Sequence, residues 1–104
     1  MIHICICDDS DAMRDELCGL IQELCQKHSI AASVSCCSSG EELLFDPDDK
    51  NRTTDIFFLD ILMKKLNGIE TAARLRAINP TAQIIFLTVS KEHVFEALDV
   101  MPLH

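Results

Sequence analysis

The sequence predicts an α/β layered fold built on a parallel sheet. Short apolar runs of strand length alternate with segments whose apolar residues recur at helical spacing, and the alternation repeats four times. Two of the runs, Ile56–Leu59 and Ile84–Leu87, are apolar at every position, the pattern of strands buried on both faces of a sheet. The chain has 104 residues, which suits one domain, and 48% of them are hydrophobic, enough for a core.

Taken in order, Ile2 to Cys7 is an apolar run that stops at Asp8 and Asp9, and it reads as a buried strand. Ser10 is placed to cap the helix that follows. There Met13, Leu17, Leu20, Ile21 and Leu24 share helical spacing, and Lys27 and His28 supply the positive charge that a helix C-terminus favours. Ala32 to Cys37 is a weaker strand. Ser39 with Glu42 three residues on has the form of a capping box, and the short helix it opens carries Leu43, Leu44 and Phe45. Asp46 to Thr54 is polar and reads as a surface loop. Asp55 to Asp60 is the third strand, and Asn67-Gly68 makes a turn. Ile69, Ala72, Ala73, Leu75, Arg76 and Ile78 form a helix that Asn79-Pro80 ends. Gln83 to Thr88 is the fourth strand, and Lys91 to Leu98 a last helix with Val94, Phe95 and Leu98 inward.

Composition excludes several roles. A formal charge of −8 repels phosphate backbones and anionic lipid surfaces, so neither nucleic acid nor membrane is an expected partner. Six cysteines include no Cys-x-x-Cys pair, which argues against a zinc knuckle or a thioredoxin-like motif. They read as reduced, small apolar residues, which places the chain in a reducing compartment, the cytoplasm.

In an open parallel sheet, ligands bind beyond the carboxyl ends of the strands. The first strand ends at Asp8-Asp9, the third at Asp60, and the fourth at Thr88, with Ser90 following. Alone, each Asp is as well explained as a loop residue or helix cap, and Thr88 as a β-branched strand residue. Together, at the same end of their strands, they form a site. Three neighbouring carboxylates stay ionised only around a cation. Oxygen-only donors select Mg²⁺ or Ca²⁺, and Mg²⁺ suits a site completed by water and phosphate.

These residues resemble a known family. Asp8-Asp9 after the first strand is similar to the acidic pair of response-regulator receiver domains. Phe58-Leu59-Asp60-Ile61-Leu62-Met63 with Asn67-Gly68 resembles that family's phosphoacceptor loop, and Ile84-Ile85-Phe86-Leu87-Thr88 its fourth strand and switch hydroxyl. Asn67-Gly68-Ile69-Glu70 and Ser90-Lys91-Glu92-His93 look closest to receivers of LytTR-type transcription regulators. The resemblance implies a flavodoxin-like, doubly wound parallel sheet. It implies that Asp60 accepts a phosphoryl group from a histidine kinase to switch a transcriptional output domain outside this chain. Asp9 and Asp60 would hold Mg²⁺ directly, Asp8 largely through water, with the backbone carbonyl of Leu62 completing the set, and Thr88 would bond a phosphoryl oxygen. A homodimer is a further partner of this class.

The chain departs from the family at three places. Lys64 stands where a proline is usual, which loosens the loop after Asp60, and Val89 where a smaller residue is usual. The family's lysine at the end of a fifth strand lies past His104. Lys64 and Lys65 read as solvated loop lysines and not as substitutes for it. Two rival readings stay open: a small Mg²⁺-dependent aspartyl-phosphate phosphatase, opposed by Leu62 where its general acid would stand, and a degenerate receiver that only binds protein. As given, residues 1–104 read as one receiver domain lacking a last strand and helix, about twenty residues. The fourth strand then becomes an apolar edge, and such edges pair with other chains. Sedimentation under reducing conditions is expected to show dimers or larger species that vanish when the segment is restored; a clean monomer with an equally cooperative melt would contradict it.

Overall fold

The computed structural model describes residues 1–87. Strand β1 (Ile2–Cys7) leads into helix α1 (Asp11–Lys27), β2 (Ala32–Cys37), α2 (Gly40–Leu44), one 3₁₀ turn at Lys50–Arg52, β3 (Ile56–Asp60), α3 (Gly68–Ile78) and β4 (Gln83–Leu87). The strands form one parallel sheet in the order β2-β1-β3-β4. The doubly wound fold expected from the sequence is therefore the one observed over these residues. The expected helix Lys91–Leu98, together with Thr88 and Val89, lies outside the described residues.

The sheet buries apolar side chains on both faces because residues alternate sides along each strand. Cys5, Cys7, Cys37, Phe57 and Leu59 pack on one face beneath Leu43 of α2 and Ala72 and Leu75 of α3. Ile4 and Ile6 pack on the other with Ile21 of α1, joined by Leu17, Cys18, Val34 and Phe58. All six cysteines are free thiols; Cys5, Cys7 and Cys37 are buried and Cys36 is exposed. A hydrogen bond with Cys37, then burial, pushes the Cys5 thiol well above its ordinary value, while burial and then contact with Cys18 push Cys36 up to about 11.

Two burial expectations are corrected. No residue of β4 is buried, and Ile85 is 43% exposed. Its all-apolar composition suggests burial on both faces, but β4 is the outermost strand among the described residues and is paired on one side only, which is the edge position expected for the fourth strand. Helix α1 buries Ile21 and half-buries Leu17, Cys18 and Cys25, while Met13, Leu20 and Leu24 stay exposed. Helical spacing gives the apolar arc of a helix. It does not say how much of that arc meets the sheet. In β3, too, only Phe57 and Leu59 are fully buried; Ile56 and Phe58, on the α1 side, are half-buried.

The caps are also redistributed. Ser10 Oγ accepts from the Met13 N–H at 3.3 Å, as its position predicts. Ser39 Oγ accepts from the Glu42 N–H at 3.0 Å, but Glu42 returns its bonds to Ser38, not to Ser39, so the box is not closed on the cap. The reciprocal box belongs to Asn67 and Glu70, which opens α3 one residue earlier than the apolar spacing suggests. Phe45 lies just past α2 and is 79% exposed.

The polar loop 46–54 is a surface loop with a buried anchor. Asp46 accepts from the N–H groups of Lys50 and Asn51. Asn79, the buried cap of α3, donates from Nδ2 to the carbonyls of Asn51 and Thr54, both at 2.8 Å, and accepts from Ala82 N–H at 3.1 Å. Truncating it leaves three buried backbone groups unpaired, each a cost of about 1–3 kcal/mol. Asn79→Ala is expected to destabilise by about 2–4 kcal/mol and lower the melting temperature by roughly 10 °C or more. A circular-dichroism melt shifted by only a degree or two would show that the pin contributes little.

Candidate functional site

The site is assembled by strand register. Cys7 pairs with Cys37 on one side and Leu59 on the other, so Asp8 and Asp60 leave the sheet at the same level. The Asp8 N–H extends the ladder, donating to the Cys37 carbonyl at 3.2 Å, and the Ile61 N–H donates to the Leu87 carbonyl at 3.2 Å. One oxygen each of Asp8, Asp9 and Asp60 lie within 4.8 Å of one another. Asp8 is buried at 4% exposure, Asp60 is half-buried and Asp9 is exposed.

Electrostatics follow from this crowding. The Asp60 carboxyl is pushed up from 3.8 to about 6. Burial is the largest cause; the charges of Asp8 and Asp9 add to it, and the Leu62 N–H, donating to Asp60 Oδ1 at 3.1 Å, opposes it. Ser10 N–H donates to Asp8 Oδ1 at 2.9 Å. The carboxylates open into a cavity of about 420 Å³ that Met13, Leu62 and Phe86 also line. The donor set is all oxygen, which fits a hard divalent cation and not zinc or a soft metal.

The segment after Asp60 is anchored despite Lys64. Ile61 and Met63 are buried, while Lys64 and Lys65 are exposed. The Leu66 N–H donates to Glu41 Oε1 at 3.1 Å, and the Gly68 N–H returns to the Ile61 carbonyl at 3.1 Å. A Cβ at Gly68 would stand 2.3 Å from the Asp60 carbonyl oxygen, so only glycine lets α3 start directly against the Asp60 backbone.

Of the residues expected at the site, Asp8, Asp9 and Asp60 are brought together and Leu62 stands beside them. Thr88 lies outside the described residues; its neighbour Leu87 lines the cavity. Sequence reading missed the roles of Met13, Phe86 and Gly68. For Gly68 a signal was present: Asn67 followed three residues later by Glu70 is a helix start, which places the glycine in its first turn next to Asp60.

Residues 4–102 match the response regulator receiver domain family. The sensory transduction protein LytT of Enterococcus faecalis is 26% identical over 99 residues, covering 95% of this chain and 38% of LytT. The chain thus spans about two-fifths of the length of that relative. Among solved structures, a response regulator receiver domain protein from Clostridium thermocellum superposes with a TM-score of 0.77 at 21% identity, covering 95% of this chain and 75% of that one. The receiver domain of a histidine kinase from Arabidopsis thaliana, complexed with Mg²⁺ and BeF₃⁻, gives a TM-score of 0.69 at 20% identity, with the same coverages. Sheet order, acidic cluster and a family match over nearly the whole length agree: this chain belongs to the response regulator receiver domain family.

Proposed function

We propose that this chain is the cytoplasmic phosphoacceptor module of a two-component switch, charged on Asp60 by a histidine kinase and coupled to a transcriptional output domain outside residues 1–104. The observation that carries this reading is the convergence of Asp8, Asp9 and Asp60 within 4.8 Å at the open edge of the sheet, with Asp60 facing a cavity. The complex of the Arabidopsis receiver with Mg²⁺ supports the same ion here; Asp9, Asp60 and the Leu62 carbonyl would hold it, with Asp8 acting largely through water.

When bound, Mg²⁺ offsets the charge of the carboxylates and of the transferring phosphoryl oxygens. The protein's share is placement. A carboxylate oxygen of Asp60 bonds to phosphorus as the phosphorus–nitrogen bond of a phosphohistidine breaks, and the electron pair returns to the imidazole. Ser10 and Leu62 N–H groups fix two carboxylates for this approach, and Thr88 meets a phosphoryl oxygen. Leu62, and no acid, stands two residues after Asp60, so the acyl phosphate persists as a signal where a phosphatase would discharge it. Treatment of the full-length protein with a small phosphodonor and Mg²⁺ is expected to label Asp60 alone. Label retained at wild-type level in Asp60→Asn would refute the assignment.

The raised carboxyl has a consequence for stability. Its folded-state value of about 6 exceeds the ordinary 3.8, so in this window the folded chain binds more protons than the unfolded chain. Stability contributed by the neutral acid is present below 3.8 and is lost as pH rises through about 6. Metal-free protein should therefore lose stability at Asp60 as pH rises towards neutral. Asp60→Asn should remove that loss, and Mg²⁺ should restore the wild type near neutral pH. Chemical denaturation across this range checks it; identical profiles for wild type and Asp60→Asn without metal would contradict it.

A further inference from the structure

Asp8 is held at three points besides its free carboxylate oxygen. Its N–H is taken by Cys37, its Oδ1 by the Ser10 N–H, and its carbonyl by Arg14, whose Nη1 donates to it at 2.8 Å. The other terminal nitrogen of Arg14 pairs with Asp11. The two arms differ in weight. The Asp11 side chain is 85% exposed and the Arg14 side chain 18%, so the ion pair is solvated and contributes little. The bond to the Asp8 carbonyl is part-buried and charge-assisted.

That carbonyl belongs to the peptide unit joining Asp8 to Asp9. The unit is planar, so a restraint on its oxygen also limits the tilt of the plane and the movement of the Cα atoms at both ends. One guanidinium therefore bears on the backbone that carries two of the three clustered carboxylates, and it is not among the residues lining the cavity. An arginine on the second turn of a helix otherwise reads as a solvated surface charge. Here it reaches back across the first turn to the loop that carries the acids.

The geometry points to Arg14 as a positioning residue that sets the angle between Asp8 and Asp9 and through it the divalent-cation affinity of the site, an inference that rests on the metal reading above. A mere staple would lower stability and leave the folded molecules' affinity and local loop geometry unchanged. The test uses the full-length protein with Arg14→Met, which keeps the apolar stem, and Arg14→Lys, which keeps a single charged donor. Mg²⁺ is titrated by NMR, and amide exchange is measured without metal. Arg14→Met is expected to weaken Mg²⁺ binding about tenfold or more, the scale seen when partners that orient a metal ligand are lost. It should also speed exchange of the Ser10 amide, which donates to Asp8, relative to strand amides such as Phe58. Arg14→Lys should recover part of both. Arg14→Gln, too short to carry the fork, replaces Arg14→Met if that variant does not fold. Mg²⁺ affinity within about twofold of wild type in the Met or Gln variant, or Ser10 exchange that moves only in step with the strands, would overturn the proposal. A wild type that binds no Mg²⁺ while Ser10 responds as expected would overturn the metal reading and its link to affinity, leaving the control of loop geometry standing.

Discussion

Three carboxylates crowded at one sheet edge are the constraint to which the rest of this structure answers. Left to themselves, Asp8, Asp9 and Asp60 would move apart or neutralise, because like charges within 4.8 Å disfavour joint ionisation. They are kept together by elements that cannot yield separately. Parallel pairing of β1 with β2 and β3 sets the level at which the acids emerge. Backbone N–H groups of Ser10 and Leu62 hold one oxygen each of Asp8 and Asp60. Gly68 lets α3 abut the Asp60 backbone, so the third acid has no slack behind it. The Asp60 carboxyl is raised first by its burial and then by the charges of Asp8 and Asp9 beside it.

How much of this could be read from the sequence depends on the range of the interaction. The strand cores and the three acids were legible because both are local patterns: an apolar run, then a carboxylate where the run stops. The bounds of β1 and of the weaker strand β2 agree residue for residue with those read from the sequence. Composition alone misjudges the burial of β4, because Ile84-Ile85-Phe86-Leu87 reads the same whether a neighbour lies on one side of it or both; its exposure follows from the edge position that the count of strands predicts. Of two cap patterns, Ser39–Glu42 was noticed and closes on Ser38, while Asn67–Glu70, read as a turn, makes the complete box. The Asn79 pin, with bonds to carbonyls 28 and 25 residues away, has no signature in a single sequence at all.

Both faces of the sheet carry a core, but they are not equivalent. The face under α2 and α3 holds Phe57, the one buried aromatic among the described residues, and most of the buried aliphatic ones. The face under α1 is half-buried at Phe58, Ile56 and Val34, and α1 itself leaves Met13, Leu20 and Leu24 in solvent. By strand alternation Asp60 falls on the same side as Ile56 and Phe58, the looser side, which also carries the helix whose start bears on Asp8.

The cysteines in that tighter core have a chemical meaning apart from packing. Sulfur reacts with peroxides and alkylating agents as the thiolate. Cys5, Cys7 and Cys37 are shut inside the sheet–helix layer, and Cys5 is held protonated there. Cys36 is the one an electrophile meets first, and with its thiol pushed up to about 11 it offers chiefly neutral sulfur. Neither place favours reaction: at exposed Cys36 the anion is scarce, and Cys5 is both protonated and out of reach.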